Sequence, residues 1–133
     1  MKNTSIQFKE IISVCRDLYT NKLKDYGAAW RVLRLPSLTD QIFIKINRIR
    51  TLQEATERLV DEDEEGEFIA IVNYSIMALV QLELGFASQP DLTDEQAIEL
   101  YDKYAIIAHD LKVKKNHDYG EAWRDMRVSS ITD

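Results

Sequence analysis

DYGAAWRVLRLPSLTD, residues 25–40, returns as DYGEAWRDMRVSSITD at residues 118–133. The segments align without a gap, 93 residues apart, and ten of the sixteen positions are identical: Asp25, Tyr26, Gly27, Ala29, Trp30, Arg31, Arg34, Ser37, Thr39 and Asp40. Chance does not produce such agreement, so the chain contains an internal duplication. The same offset pairs Phe8 with Tyr101, Asp17 with Asp110 and Leu18 with Leu111 upstream of the motif. A fourth helix is therefore expected as a second copy of the first. The expected organisation is a first repeat over residues 1–88 and the start of a second over 89–133, packed on the first or on another chain. Such a copy lacks partners for its apolar face, so a truncated second unit compensated by dimerisation or swapping is expected.

Working outward from the motif, Phe8, Ile11, Ile12, Cys15, Leu18 and Tyr19 recur at helical spacing after Thr4 and Gln7, which read as a capping box. Gly27 is placed to end this helix in a left-handed turn. A connection carrying Trp30, with one short helical turn, leads to Pro36, and Ser37 or Thr39 can cap a second helix with an apolar face of Ile42, Ile46, Ile49 and Leu52. Six of the seven residues from Asp61 to Glu67 are carboxylates. A third helix from about Glu67 to Leu84 is apolar nearly all round, as expected for the most enclosed helix of a bundle. Thr93 with Gln96 caps a fourth, which runs to about His117. With only 4 Gly and 2 Pro in 133 residues, a turn-rich β sandwich is disfavoured. The expected class is all-α: a helical bundle of about four long helices.

The net charge of −6 argues against a nucleic-acid polymer or an anionic membrane as partner, although one basic cluster suffices for a small nucleotide. The single cysteine, Cys15, forms no intrachain disulfide and suits a reducing, cytoplasmic compartment. No signal-peptide pattern opens the sequence. The most apolar run, Phe68 to Leu84, is interrupted by Asn73, Ser75, Gln81 and Glu83 and reads as a core helix rather than a membrane span.

Two arginines three apart, Arg31 and Arg34, can clamp a phosphate, and Tyr26 or Trp30 can stack on a base. The competing explanation is that Tyr-Gly ends a helix, Trp30 fills a seam and the arginines are solvated or paired with acids. Glu62 and Glu65 are the preferred pair for a magnesium ion, which favours clustered carboxylate oxygens; a solvated linker and a helix dipole account for the same acids. Asn73 sits among Ile69, Ala70, Ile76 and Met77, so its amide is satisfied inside the bundle or faces a pocket. Lys45 and Arg48, one turn apart, can meet phosphate or solvent. Histidines occur only in the second copy, which argues against a repeated metal site.

The order of helix, Asp-Tyr-Gly-x-x-Trp, Leu-Thr-Asp, Lys-x-Asn-Arg-Ile and Val-Asn-Tyr-Ser-Ile resembles nucleotide modification associated domain 1, a domain of unknown function. That domain is in turn similar to the all-α nucleoside-triphosphate pyrophosphohydrolases of the MazG and dimeric dUTPase type. The resemblance implies a bundle completed as a homodimer or pseudo-dimer, with magnesium held by acids on facing helices. It implies Glu62, Glu65 and Glu67 as metal ligands supported by Asn73. Phosphate would meet Lys45, Arg48, Arg31 and Arg34, with Asp25, Tyr26 and Trp30 at the nucleotide. Relatives tend to carry Asp where this chain has Ile44, and another where it has Ala70. These departures leave two readings: a divergent, catalytically degenerate nucleotide-binding domain, or a non-catalytic assembly module.

Overall fold

The computed structural model describes residues 4–54, 64–120 and 122–127. Four α-helices account for most of them: α1 (Thr4–Tyr26), α2 (Leu35–Glu54), α3 (Glu64–Leu84) and α4 (Asp94–Tyr119). Two short 3-10 turns, Ala29–Val32 and Ala122–Asp125, follow α1 and α4, and no strand occurs among the described residues. The all-α expectation is met.

Both copies of the repeated motif fold alike. α1 ends at Tyr26, and Gly27 takes a left-handed φ of 60°; α4 ends at Tyr119, and Gly120 takes φ 62°. Each glycine N–H closes the preceding turn, Gly27 on the Leu23 carbonyl and Gly120 on that of Asn116, both at 2.8 Å. Glycine is required here because a Cβ is disfavoured in that region. The duplication read from the sequence is thus a duplication of local structure.

The core lies where the C-terminal half of α1 meets α3 and the first half of α4. Tyr19, Leu23, Ala28, Trp30, Ile76, Val80, Ala97 and Tyr101 form one buried cluster. The α2 helix packs chiefly on α3, burying Leu38, Ile49 and Leu52. α1 and α4 run antiparallel: Tyr19 donates to the Ala97 carbonyl at 3.2 Å, Arg16 pairs with Asp102 at 2.7 Å, and Phe8 stacks near His109 at 5.4 Å. The groove between them is lined by Lys9, Ile12, Ser13 and Arg16 on one side and Asp102, Ala105, Ile106 and His109 on the other. These are counterparts at the 93-residue offset, so α1 and α4 meet about an approximate twofold axis, as two copies of one surface do in an isologous contact.

Three details differ from expectation. α2 starts at Leu35, earlier than a cap at Ser37 or Thr39 would place it. Pro36 therefore occupies the first turn, where its missing N–H costs nothing, and the Thr39 hydroxyl donates to the Pro36 carbonyl at 3.0 Å instead of capping. α3 starts at Glu64 rather than Glu67, which puts Glu64, Glu65 and Glu67 in its first turn, where the helix dipole favours them. Finally, α3 is touched by all three other helices yet fully buries only Asn73, Ile76, Val80 and Gln81, one face at helical spacing. Leu79 and Leu82 are exposed, so the helix is central without being enclosed. It is long and apolar enough to cross a membrane by length and composition alone.

Candidate functional site

The repeated connection builds the site from two halves, one structural and one open. Arg31 is the structural half. It is 3% exposed, and its guanidinium forks onto Asp91, Nε to Oδ1 at 2.8 Å and Nη2 to Oδ2 at 3.2 Å. Its Nη1 donates to the Gly85 carbonyl at 2.6 Å and to Gln81 Oε1. The Gln81 amide donates in turn to the carbonyls of Arg31 at 2.9 Å and Leu33 at 2.7 Å, and Ala87 N–H closes on the Arg31 carbonyl at 2.8 Å. This network straps the connection to the end of α3 and to the loop before α4. The Arg31 guanidinium also holds the Asp91 carboxyl below the usual range. The phosphate clamp expected from Arg31 and Arg34 is not assembled. Arg31 points inward onto protein groups, while the Arg34 guanidinium lies over the exposed Phe86 ring at 4.6 Å from its centroid.

Asn73 is hydrogen-bonded inside the bundle and also borders the cavity described next. Its amide donates to the Cys15 carbonyl at 3.1 Å and its oxygen accepts from the Tyr101 hydroxyl at 2.8 Å, joining α3 to α1 and α4. Tyr101 also packs on Tyr19, with ring centroids 4.5 Å apart. Burial pushes both phenols well above their ordinary range. Cys15 is fully buried, as its place on the apolar face implied, and burial raises its thiol.

The open half is a cavity of about 420 Å³ behind the repeated turn. α1 contributes Leu18, Tyr19, Lys22 and Tyr26; the connection contributes Gly27, Ala29, Trp30 and Leu33. The far wall is Lys45 of α2 with Ala70, Asn73, Tyr74 and Met77 of α3. Trp30 is 8% exposed, and its indole N–H has no partner in hydrogen-bond geometry. It lies within electrostatic reach of the Tyr19 hydroxyl, where it opposes the larger upward effect of burial.

Of the residues expected at the nucleotide, Tyr26, Trp30, Lys45 and Asn73 line this cavity, and Asp25, Arg31, Arg34 and Arg48 do not. Lys45 and Arg48 both pair with Glu67, at 3.4 and 3.0 Å. Glu65 lies instead with Glu10 and Glu64 in a groove between α1 and α3. Glu62 lies outside the described residues. Glu65 and Glu67 therefore face different neighbours, and among the described residues no three His, Cys, Asp or Glu side chains come together as a metal site. Of the expected donors, Glu65 and Glu67 do not face one another among the described residues. Lys22 and Tyr74 are cavity residues that sequence reasoning missed. The signal for Lys22 was available, since the 93-residue offset pairs it with Lys115.

Fold and site together define a small helical bundle in which a duplicated turn backs onto a cavity lined by aromatics and two ammonium groups. The family model for nucleotide modification associated domain 1 matches residues 22–82 and 115–133, more than half of the chain, and the chain belongs to that family. The two matched stretches begin at Lys22 and Lys115, the same 93-residue step as the duplication. No curated protein and no solved structure matches the chain.

Proposed function

We propose that the cavity behind the Asp-Tyr-Gly-x-x-Trp turn binds a nucleotide without hydrolysing it. The observation that carries this reading is the composition of one enclosure. Four aromatic rings, Tyr19, Tyr26, Trp30 and Tyr74, and two ammonium groups, Lys22 and the Glu67-paired Lys45, line about 420 Å³. That volume falls in the usual range for small-ligand sites, and rings beside cations suit a base joined to a phosphate. The family's description, with its reference to nucleotide modification, supports the same class of ligand. Hydrolysis of the pyrophosphohydrolase type has less support, because Glu67 is engaged by Lys45 and Arg48 and Glu65 lines another groove.

A thermal-shift and calorimetric screen against nucleoside mono-, di- and triphosphates, with and without magnesium, tests the reading. We expect stabilisation by at least one class without a magnesium requirement, lost in Lys22→Ala and Tyr26→Ala. No shift at millimolar ligand would sink it.

An assembly module is the second reading. Ile11, Val14, Leu79, Leu82, Ile106, Ile107 and Leu111 are exposed on three of the four helices, and a partner helix would bury them.

A further inference from the structure

The N-terminal halves of α1 and α3 enclose a groove of about 510 Å³. Among the described residues its lining holds three glutamates, Glu10, Glu64 and Glu65, and is otherwise apolar, with Ile11, Val14 and Phe68 among its walls. Ile11 and Val14 are half-exposed there. A second surface runs along the C-terminal half of α4. Ile107 and Leu111 are four apart, and Lys114 and Lys115 follow a turn later, so helical geometry puts all four on one face. Ile107 and Leu111 are half-exposed and both lysines are exposed. One turn further on, Asp118 lies 3.4 Å from the His117 ring nitrogen. In a chain of net charge −6 this end of α4 is locally basic, with Lys112, Lys114 and Lys115 against Asp110 and Asp118.

The two surfaces complement each other. An acidic groove with apolar walls accepts a helix that is apolar along one stripe and basic at its end, and α4 is such a helix. Within one protomer α4 lies along a different side of α1, beside Lys9, Ile12, Ser13 and Arg16. Its stripe therefore cannot fill the groove of its own chain. A twofold operation brings the stripe of each copy onto the groove of the other, so every acid–base contact is made twice and the assembly closes as a dimer. Glu10, Glu64 and Glu65 also interact within the protomer. The apolar stripe thus supplies the affinity, and the charges set partner and orientation.

We propose that two copies of this chain associate reciprocally, with Ile107, Leu111, Lys114 and Lys115 of one copy seated in the α1–α3 groove of the other. The proposal names the partner and the surface of the assembly reading, and rests on that reading.

Sedimentation equilibrium of the full chain across the micromolar range tests it. A dimer that saturates without larger species is expected. Lys114→Glu with Lys115→Glu, and separately Glu10→Lys with Glu65→Lys, should each weaken dimerisation at least about tenfold. An equimolar mixture of the two variants should recover it, because the mixed pair restores acid against base at both contacts. Circular dichroism checks that the variants stay folded; should the double glutamate variant unfold, Glu10→Lys mixed with Lys115→Glu takes its place. Dimerisation that neither variant weakens, a mixture that stays weak, or growth beyond the dimer overturns this arrangement and leaves the assembly reading standing. A wild-type chain that stays monomeric throughout overturns both.

Discussion

Arg31 and Arg34 look equivalent in the sequence, three apart and both repeated, but their surroundings assign them unequal energies. Replacing Arg31 removes a buried fork and leaves the Gln81 amide and the Gly85 carbonyl with fewer partners. Arg31→Ala should cost on the order of 2–4 kcal/mol in urea unfolding. Arg34→Ala, which gives up only an exposed cation–π contact, should cost less than about 1 kcal/mol. Equal effects would contradict the inward strap. The buried phenols make a second residue-level prediction. In the unfolded chain Tyr19 and Tyr101 ionise near their ordinary value of 10.0, while in the fold both ionise well above it. The unfolded state therefore releases these protons first. The stabilisation is fully present below pH 10 and falls as pH climbs towards the folded values. Unfolding free energies followed from about pH 9 to about 11.5 should decline, and Tyr19→Phe should decline less steeply than the wild type.

Among the elements, the parts legible in the sequence were those written in local chemistry. Gly27 closes α1 as its position implied, and the Thr93–Gln96 capping box is present at the start of α4, with Gln96 N–H on the Thr93 hydroxyl at 3.1 Å and the reciprocal bond at 3.0 Å. Thr93→Ala should cost about 1 kcal/mol, and Gly27→Ala about 1–2 kcal/mol for the left-handed backbone, both measurable by thermal unfolding. What the sequence did not disclose depends on distant partners. Thr4 and Gln7 read as a capping pair, but both their side chains accept from Arg124, at 3.2 and 2.5 Å. The surroundings of Arg31 come from Asp91 and Gln81, 60 and 50 residues away, which no local pattern around Arg31 indicates. Half of the expected nucleotide contacts do share a cavity, because Tyr26 and Trp30 flank one turn and Lys45 and Asn73 stand on the helices that face it. Helical periodicity could place each of these residues on a face, but not decide which faces meet.

For the molecule as a whole, apolar side chains stand exposed on α1 and α4. Ile107 and Leu111 of α4 correspond at the duplication offset to Val14 and Leu18 of α1, and all four are exposed. Association that rises with protein concentration is expected in sedimentation equilibrium, weakened by Ile107→Lys. A chain that stays monomeric throughout the micromolar range would remove support from the assembly reading and leave the nucleotide reading untouched.

The antiparallel pairing of α1 with α4 also has a consequence in time. Arg16 and Asp102 are 86 residues apart in the chain, and Arg124 reaches Gln7 across 117. Arg48 and Glu67, joining α2 to α3, are only 19 apart. Closing a long stretch of chain costs more entropy than closing a short one, so the α2–α3 pair is positioned to zip first and the two ends to clasp last. In reverse, the clasp is the natural place for the molecule to begin to open. Amide exchange should then proceed fastest where α1 and α4 approach their free ends, and more slowly around Ile76 and Val80.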